Sequence, residues 1–420
     1  MLNKLAVFVI IFSCLLAACA SSAGSADASV ERYLVAIVSV DEVAAVNAAC
    51  AAWEQQALME SAAYQGVETQ LEDLDCQVIS EEGDHAQVAC TGQVRYSYAG
   101  GEDQLDELGG RTFSAIIEGG EWKMCGPGGQ QAMAVTPSLT PFQVGQVLPT
   151  DTLEPTAAPT AAPTPDYTPT PDTRPLPADW RNWPIVPELS PWLAEVYGRG
   201  LAGGNDPHRF SVAGDCQNIP NAFMGLYDYE DRAVFSAKEQ YLYETVDYFA
   251  GSWNRDGLAV DGGFNFPAIF TSLRADPAIC EAGETPLACE IRTHKPAFIF
   301  ISMEFVYTGR TAENYEEYLR QAVDYALSQD VIPILLTKAD NVEGNYGINL
   351  ATAEVAYDYD LPLINWWRAA QPLEGHGIDW QRDAETRPQG FHITYDAWGV
   401  RSYWALRTLD AFWRELTAGG

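Results

Sequence analysis

Between residues 136 and 178 the chain consists mostly of Pro, Thr, Ala and scattered Asp, with Pro155-Thr156-Ala157-Ala158-Pro159-Thr160 near its centre. Such a stretch has too little apolar surface to offset the entropy of ordering it, and favours solvated polyproline II. At ~3.1 Å per residue it can extend on the order of 100 Å. One continuous core cannot run through it. The sequence therefore predicts two domains, residues 30–135 and 179–420, with residues 136–178 as a linker that holds them apart like a stalk. The apolar content, 47% of the chain, suffices for two cores of ordinary size.

In the second half, continuous apolar runs alternate with helical periodicity. Ala297-Phe298-Ile299-Phe300-Ile301-Ser302, Val331 to Thr337 and Leu361 to Asn365 read as buried strands. Thr311 to Gln329, Ile348 to Tyr357 and Thr394 to Leu416 read as helices, and so do Lys238 to Phe249 and Phe266 to Leu273. This pattern predicts an α/β domain whose parallel sheet is covered by helices on both faces. Ligand sites in such folds lie past the carboxyl ends of the strands. Phe210 to Ala213 is an apolar strand end that runs into Gly214-Asp215-Cys216, followed by an expected helix over Asn221 to Leu226. That turn lifts a thiol to the sheet edge. Gly262, Gly263, Glu304, Lys338, Asp340 and Asn341 also follow strand ends and belong to the same predicted rim.

The first half is different. Val30 to Ala36 and Asp41 to Leu58 carry helical spacing, and after Tyr64 the period becomes two, ending in Glu121-Trp122-Lys123-Met124-Cys125. Helices followed by a strand meander predict an α+β unit. In length, order and closing strand it resembles the NTF2-like (cystatin-like) domains of bacterial lipoproteins. His85 reads as a surface residue.

Residues 1–18 carry Lys4 and an apolar run shorter than the ~20 residues of a membrane span, which fits a secretory signal. The tetrad Leu16-Ala17-Ala18-Cys19 resembles the lipobox of bacterial lipoproteins. The resemblance implies lipidation at Cys19, a tether over 19–29, and an extracytoplasmic protein anchored to a bacterial membrane. Export permits disulfides. Cys76 and Cys90 lie on one predicted hairpin and pair by proximity, while Cys50 pairs with Cys125 by default among the three connectivities four cysteines allow. Cys280 and Cys289 flank a short Gly/Pro loop and make the third pair. Cys216 is left over.

Acidic residues outnumber basic ones 58 to 24. That balance excludes a nucleic-acid footprint and electrostatic docking on anionic lipid. The five histidines show no ligand spacing, so neither a metal nor a cofactor is expected. Trp398, Trp404 and Trp413 read as core, whereas Trp366, Trp367 and Trp380 lie near strand ends and loops.

The rim residues resemble the SGNH (GDSL-type) hydrolases, whose fold is a flavodoxin-like parallel sheet. Gly214-Asp215-Cys216 occupies the place of the first Gly-Asp-Ser block and Gly262-Gly263 that of the second. Ser302-Met303-Glu304-Phe305 stands where the third block carries an asparagine, and His392 precedes the last helix. The resemblance implies Cys216 as nucleophile, His392 as base and Asp383 as the orienting carboxylate, if Ala384 to Gln389 is an insertion within the last block. Gln389 is the alternative partner. The implied oxyanion donors are Cys216, Gly262 and Gly263, with Asn341 in place of the missing asparagine. The function so implied is an esterase or acyltransferase on ester-linked small molecules or acylated glycans. The alternative is a non-catalytic surface protein whose altered pocket binds a glycan or peptide.

Overall fold

The computed structural model describes residues 24–97, 103–128, 174–229, 234–303, 311–382 and 391–418. The signal segment, Cys19 and most of the linker lie outside these residues. Among the described residues no helix is long and apolar enough to cross a membrane.

The first domain opens with α1 (Ala26–Val38), whose buried stripe includes Val30, Tyr33, Leu34 and Ile37 at helical spacing. The helix expected from Asp41 to Leu58 is broken in two. Helix α2 (Glu42–Ala48), capped by the Asp41 side chain, stops at an extended Ala49, and α3 (Glu54–Ala62) follows. The break arises because Ala49 bridges Met124 and the Cys50 N–H donates to the Met124 carbonyl at 2.8 Å. A disulfide joins Cys50 to Cys125 at the same point. Five antiparallel strands complete the unit: β1 (Glu68–Glu82), β2 (His85–Ser97), β3 (Gln104–Glu107), β4 (Arg111–Glu118) and β5 (Glu121–Pro127). Their order is β1-β2-β4-β5, with β3 also on β2, and a second disulfide ties Cys76 to its cross-strand neighbour Cys90. Helix α1 packs on this sheet, so the unit is α+β.

The second domain begins with α4 (Leu193–Gly203), closed by a left-handed Gly204. The parallel sheet has the order β6 (Asp206–Gly214), β7 (Pro296–Ser302), β8 (Ile332–Leu336), β9 (Leu363–Ile364). A bridge from Gly214 to Val260 adds a fragment on the outer side of β6. In chain order this is the 2-1-3-4-5 arrangement of a doubly wound sheet, whose switch point lies between the first and third strands. Every residue of β7 and β8 is buried, so both faces are covered. The covering helices include α7 (Pro286–His294), α8 (Ala312–Ser328), α9 (Gly347–Asp358) and α11 (Tyr395–Ala418). Two expected helices are shorter: α5 spans Leu242–Tyr248 and α6 only Phe266–Ile269, while α10 (Trp366–Ala370) follows β9. The third disulfide, Cys280–Cys289, fastens the start of α7 to the preceding loop.

The two domains are not held apart. Arg274, with its side chain fully buried, places Nε 2.7 Å from Asp106 Oδ2 and its guanidinium over the rings of Tyr96 and Phe264. Asn265 donates to the Ala62 carbonyl at 3.2 Å, and Arg111 donates to the Ser272 and Ala275 carbonyls. The expectation of a separating stalk is therefore corrected: buried ion pairing and backbone contacts join the domains directly.

Candidate active site

Gly214 ends β6 with its N–H on the Ala259 carbonyl at 3.1 Å. A Cβ here would stand 2.5 Å from the Asn218 Cβ, so only glycine lets the next turn fold back this tightly. The turn is built by Asp215. Its carbonyl accepts from the Asn218 N–H at 2.8 Å, and its Oδ1 accepts from the Gln217 N–H and the Asn218 amide, each at 3.0 Å. Cys216 is thus a central residue of a β-turn braced by an Asx bond. It is half-buried and belongs to none of the three disulfides.

The helix expected over Asn221 to Leu226 is absent. Met224 takes a left-handed φ of +65° in the middle of the segment, and a short 3-10 turn covers Gly225–Asp228. Cys216 therefore sits on a turn and not at a helix N-terminus.

Strand ends and the last helix meet at this turn. The Asn218 amide donates to the Ser302 carbonyl at 2.7 Å, linking the ends of β6 and β7 at the switch point. The Gln217 amide donates to the Phe391 carbonyl at 3.0 Å. Cys216 and His392, each one residue from that bond, are so brought onto adjoining segments. His392 is buried; its carbonyl accepts from the Asp379 N–H at 2.8 Å, and an Ile378–Ile393 bridge fixes the strand around it.

Arg401 is the residue that sequence reasoning passed over. From α11, fully buried, it donates to the Gln217 carbonyl and Asn218 Oδ1 at 2.7 Å and to Ser302 Oγ at 2.8 Å. Its signal was present: Ala397, Arg401, Ala405 and Leu409 share one buried helical stripe at i, i+4 spacing, and an arginine in such a stripe needs internal acceptors.

The glycine block lies beside β6, but its first donor is engaged. The Gly262 N–H donates to Asp261 Oδ1 at 2.6 Å, and Asp261 Oδ2 accepts from the Tyr96 hydroxyl of the first domain at 3.2 Å. Burial raises the Asp261 pKa, opposed by the charge of Arg274. Gly263 adopts φ +74°, a left-handed conformation that glycine takes readily. Asn341 sits in the loop after β8, with Oδ1 accepting from the Tyr346 N–H at 2.8 Å. Beside it Lys338 Nζ lies 2.6 Å from both Asp340 Oδ1 and Glu343 Oε2. This buried cluster stands at the carboxyl end of β8; burial works against the Lys338 charge, and the Asp340 and Glu343 carboxylates together overcome it and raise the Lys338 pKa. Asp383, Gln389 and Glu304 lie outside the described residues.

Among the described residues, the cluster with metal-ligand spacing is Cys280, Glu284 and Cys289. Its two sulfurs are bonded to each other, and Glu284 pairs with Arg292 at 2.7 Å. Trp366 is core, whereas Trp380 is exposed.

No known protein family matches the chain, and no curated protein matches it by sequence. Solved structures do. A lipase/acylhydrolase from Enterococcus faecalis is 16% identical, with 49% of this chain and 96% of that one covered at a TM-score of 0.31. A GDSL-like lipase from Bacteroides thetaiotaomicron is 12% identical over 52% and 98% of the two chains, TM-score 0.29. An α/β hydrolase from the metagenome of Lake Arreo, Spain, is 15% identical over 50% and 96%, TM-score 0.30.

Proposed function

We propose that the second domain is an SGNH-like esterase or acyltransferase using Cys216 as its nucleophile. The supporting observation is the Gln217–Phe391 hydrogen bond, which draws the Cys216 turn and the His392 segment together at the sheet's switch point. In this scheme the His392 imidazole takes the thiol proton as Sγ bonds to the ester carbonyl carbon. The carbonyl electrons move to oxygen, held by the N–H groups of Cys216 and Gly263 and by the Asn341 amide. Collapse breaks the ester C–O bond, the alcohol leaves with the proton from His392, and a thioester remains. Water or an acceptor hydroxyl then attacks that thioester and regenerates the thiol. Asp383, or Gln389 through its carbonyl, orients the imidazole. Substrates are ester-bearing small molecules or acylated glycans.

The wider proposal is a lipoprotein: residues 1–18 are removed, Cys19 carries the lipid, and an NTF2-like unit lies between the tether and the linker. The protein then works outside the cytoplasm on a membrane surface.

One observation favours a second reading. The Gly262 N–H is occupied by the Asp261 carboxylate, so a donor that a working oxyanion site requires is already satisfied. In that reading the pocket binds a glycan or peptide without turnover. Aryl-acetate hydrolysis by the wild type, Cys216→Ala and His392→Ala separates the two. The enzymatic proposal expects activity that both substitutions lower by at least about a hundredfold. An inactive wild type, or activity unchanged in Cys216→Ala, defeats it.

A further inference from the structure

We propose that the cavity between the two domains binds a small organic amine with a ring-sized apolar body. The cavity holds about 200 Å³. Trp53, Glu60, Phe113 and Met124 of the first domain line it, and Leu273 and Ala282 of the second close it. Each domain thus supplies part of the wall, and the site is complete only when they are docked.

The lining chemistry selects the ligand. Glu60 is buried, with Oε2 accepting from the Tyr33 hydroxyl at 2.6 Å and Oε1 reached by the Gln56 amide only at 3.4 Å. Its carboxylate therefore keeps acceptor capacity beyond its protein partners. Arg111 is the basic residue of the wall; its charge acts on Glu60, but its N–H donors are committed to backbone carbonyls. Its Nη1, Nη2 and Nε donate to the carbonyls of Ser272, Ala275 and Glu107. An anion would find no guanidinium to fork onto and would face both Glu60 and Glu281. A purely apolar guest would cover the open acceptor positions of the Glu60 carboxylate without giving them a donor. An amine answers both needs: its N–H groups reach Glu60 while its ring packs on Trp53, Phe113, Met124 and Leu273, where the indole face also attracts a cation.

Ionisation agrees with this geometry. Burial lifts the Glu60 pKa to about 7, with the Tyr33 hydrogen bond opposing it. The titratable and charged groups around it are Tyr33 from α1, Tyr64 after α3, Arg111 from β4 and Glu281 at the mouth. Glu60 changes charge near neutrality, so amine binding strengthens as pH rises through about 7.

Calorimetric titration of the full chain with benzylamine, benzyl alcohol and benzoate tests this. Saturable one-to-one binding of benzylamine is expected, at least about tenfold tighter than either analogue. Between about pH 8 and about pH 6 the affinity should fall roughly tenfold, following the ionised fraction of Glu60. Glu60→Gln should weaken benzylamine at least about tenfold. Ala282 is exposed at the mouth, so Ala282→Trp leaves the core untouched and should block entry. Absence of saturable benzylamine binding at the higher pH overturns the proposal. So does benzoate binding equally well, or benzylamine binding retained in both variants.

Discussion

Arg274 Nε of the second domain stands 2.7 Å from Asp106 Oδ2 of the first, with no exposure of the arginine side chain. The guanidinium also lies 4.1 Å from the centroid of the Tyr96 ring and 4.9 Å from that of Phe264. A charge so placed gains from its partner and from the aromatic faces only while the domains are docked. Replacing Arg274 by Met strands Asp106, and Asp106→Asn strands Arg274. Each should cost about 3–5 kcal/mol, while Asp106→Leu combined with Arg274→Met should recover much of the loss. Urea unfolding followed by tryptophan fluorescence reads this. Equal stability of the single and double variants would contradict it.

The Glu60 carboxyl gives the protein an inverted pH response. Its pKa is raised to about 7 in the folded chain against about 4.3 when unfolded. The folded state therefore binds this proton more tightly. The associated stability is complete below about pH 4 and is lost as pH rises through about 7, on the order of 3 kcal/mol in all. Asp106, pushed up to about 6 by burial with Arg274 opposing, adds to the same trend. The melting temperature should be higher near pH 5.5 than near pH 8, and Glu60→Gln should flatten most of the difference. A wild-type profile that rises with pH across this window would refute it.

Asp261 holds the Gly262 N–H at 2.6 Å. If Gly262 serves as an oxyanion donor, the carboxylate competes with the substrate for it. Asp261→Ala should then raise kcat for an aryl acetate roughly tenfold, with little change in KM. A loss of activity in a folded Asp261→Ala protein would show that the carboxylate supports the turn and does not block it.

Arg401 reaches three acceptors around the Cys216 turn without approaching the solvent. Arg401→Met should cost about 3 kcal/mol of stability, because the Gln217 carbonyl, Asn218 and Ser302 all lose a buried donor. Alkylation of Cys216 by iodoacetamide, measured below the unfolding transition, should change rate as the turn relaxes. An unaltered alkylation rate would confine Arg401 to a packing role.

Legibility in the sequence divided along physical lines. Long periodic segments declared themselves: α8, α9, α11 and the apolar strands β7 and β8 fall where patterning puts them, because their burial is continuous. Elements decided by tertiary contact did not. Ala49 has strong helical propensity, yet pairing with Met124 pulls it extended. Strand β1 is long and mostly exposed, since pairing with β2 and not burial defines it. Around the site, the Gly214-Asp215-Cys216 turn was visible because glycine and Asx chemistry are local. The stripe position of Arg401 was legible too, but its acceptors, nearly two hundred residues away, are supplied only by the closed fold. The same limit explains the interface. Arg274, Asp106 and Tyr96 look like ordinary surface residues until the two domains are placed together.

Residues 129–173 now take on another meaning. Gly128 at one end donates to the Thr112 carbonyl, and Arg174 at the other binds the Tyr357 carbonyl and Asp360. The described residues on its two sides are thus moored on bodies that already touch. The covalent connection makes docking of the two domains an intramolecular event. A single protease cut in this segment would leave a nicked complex whose cohesion depends on dilution, whereas the uncut chain is insensitive to it.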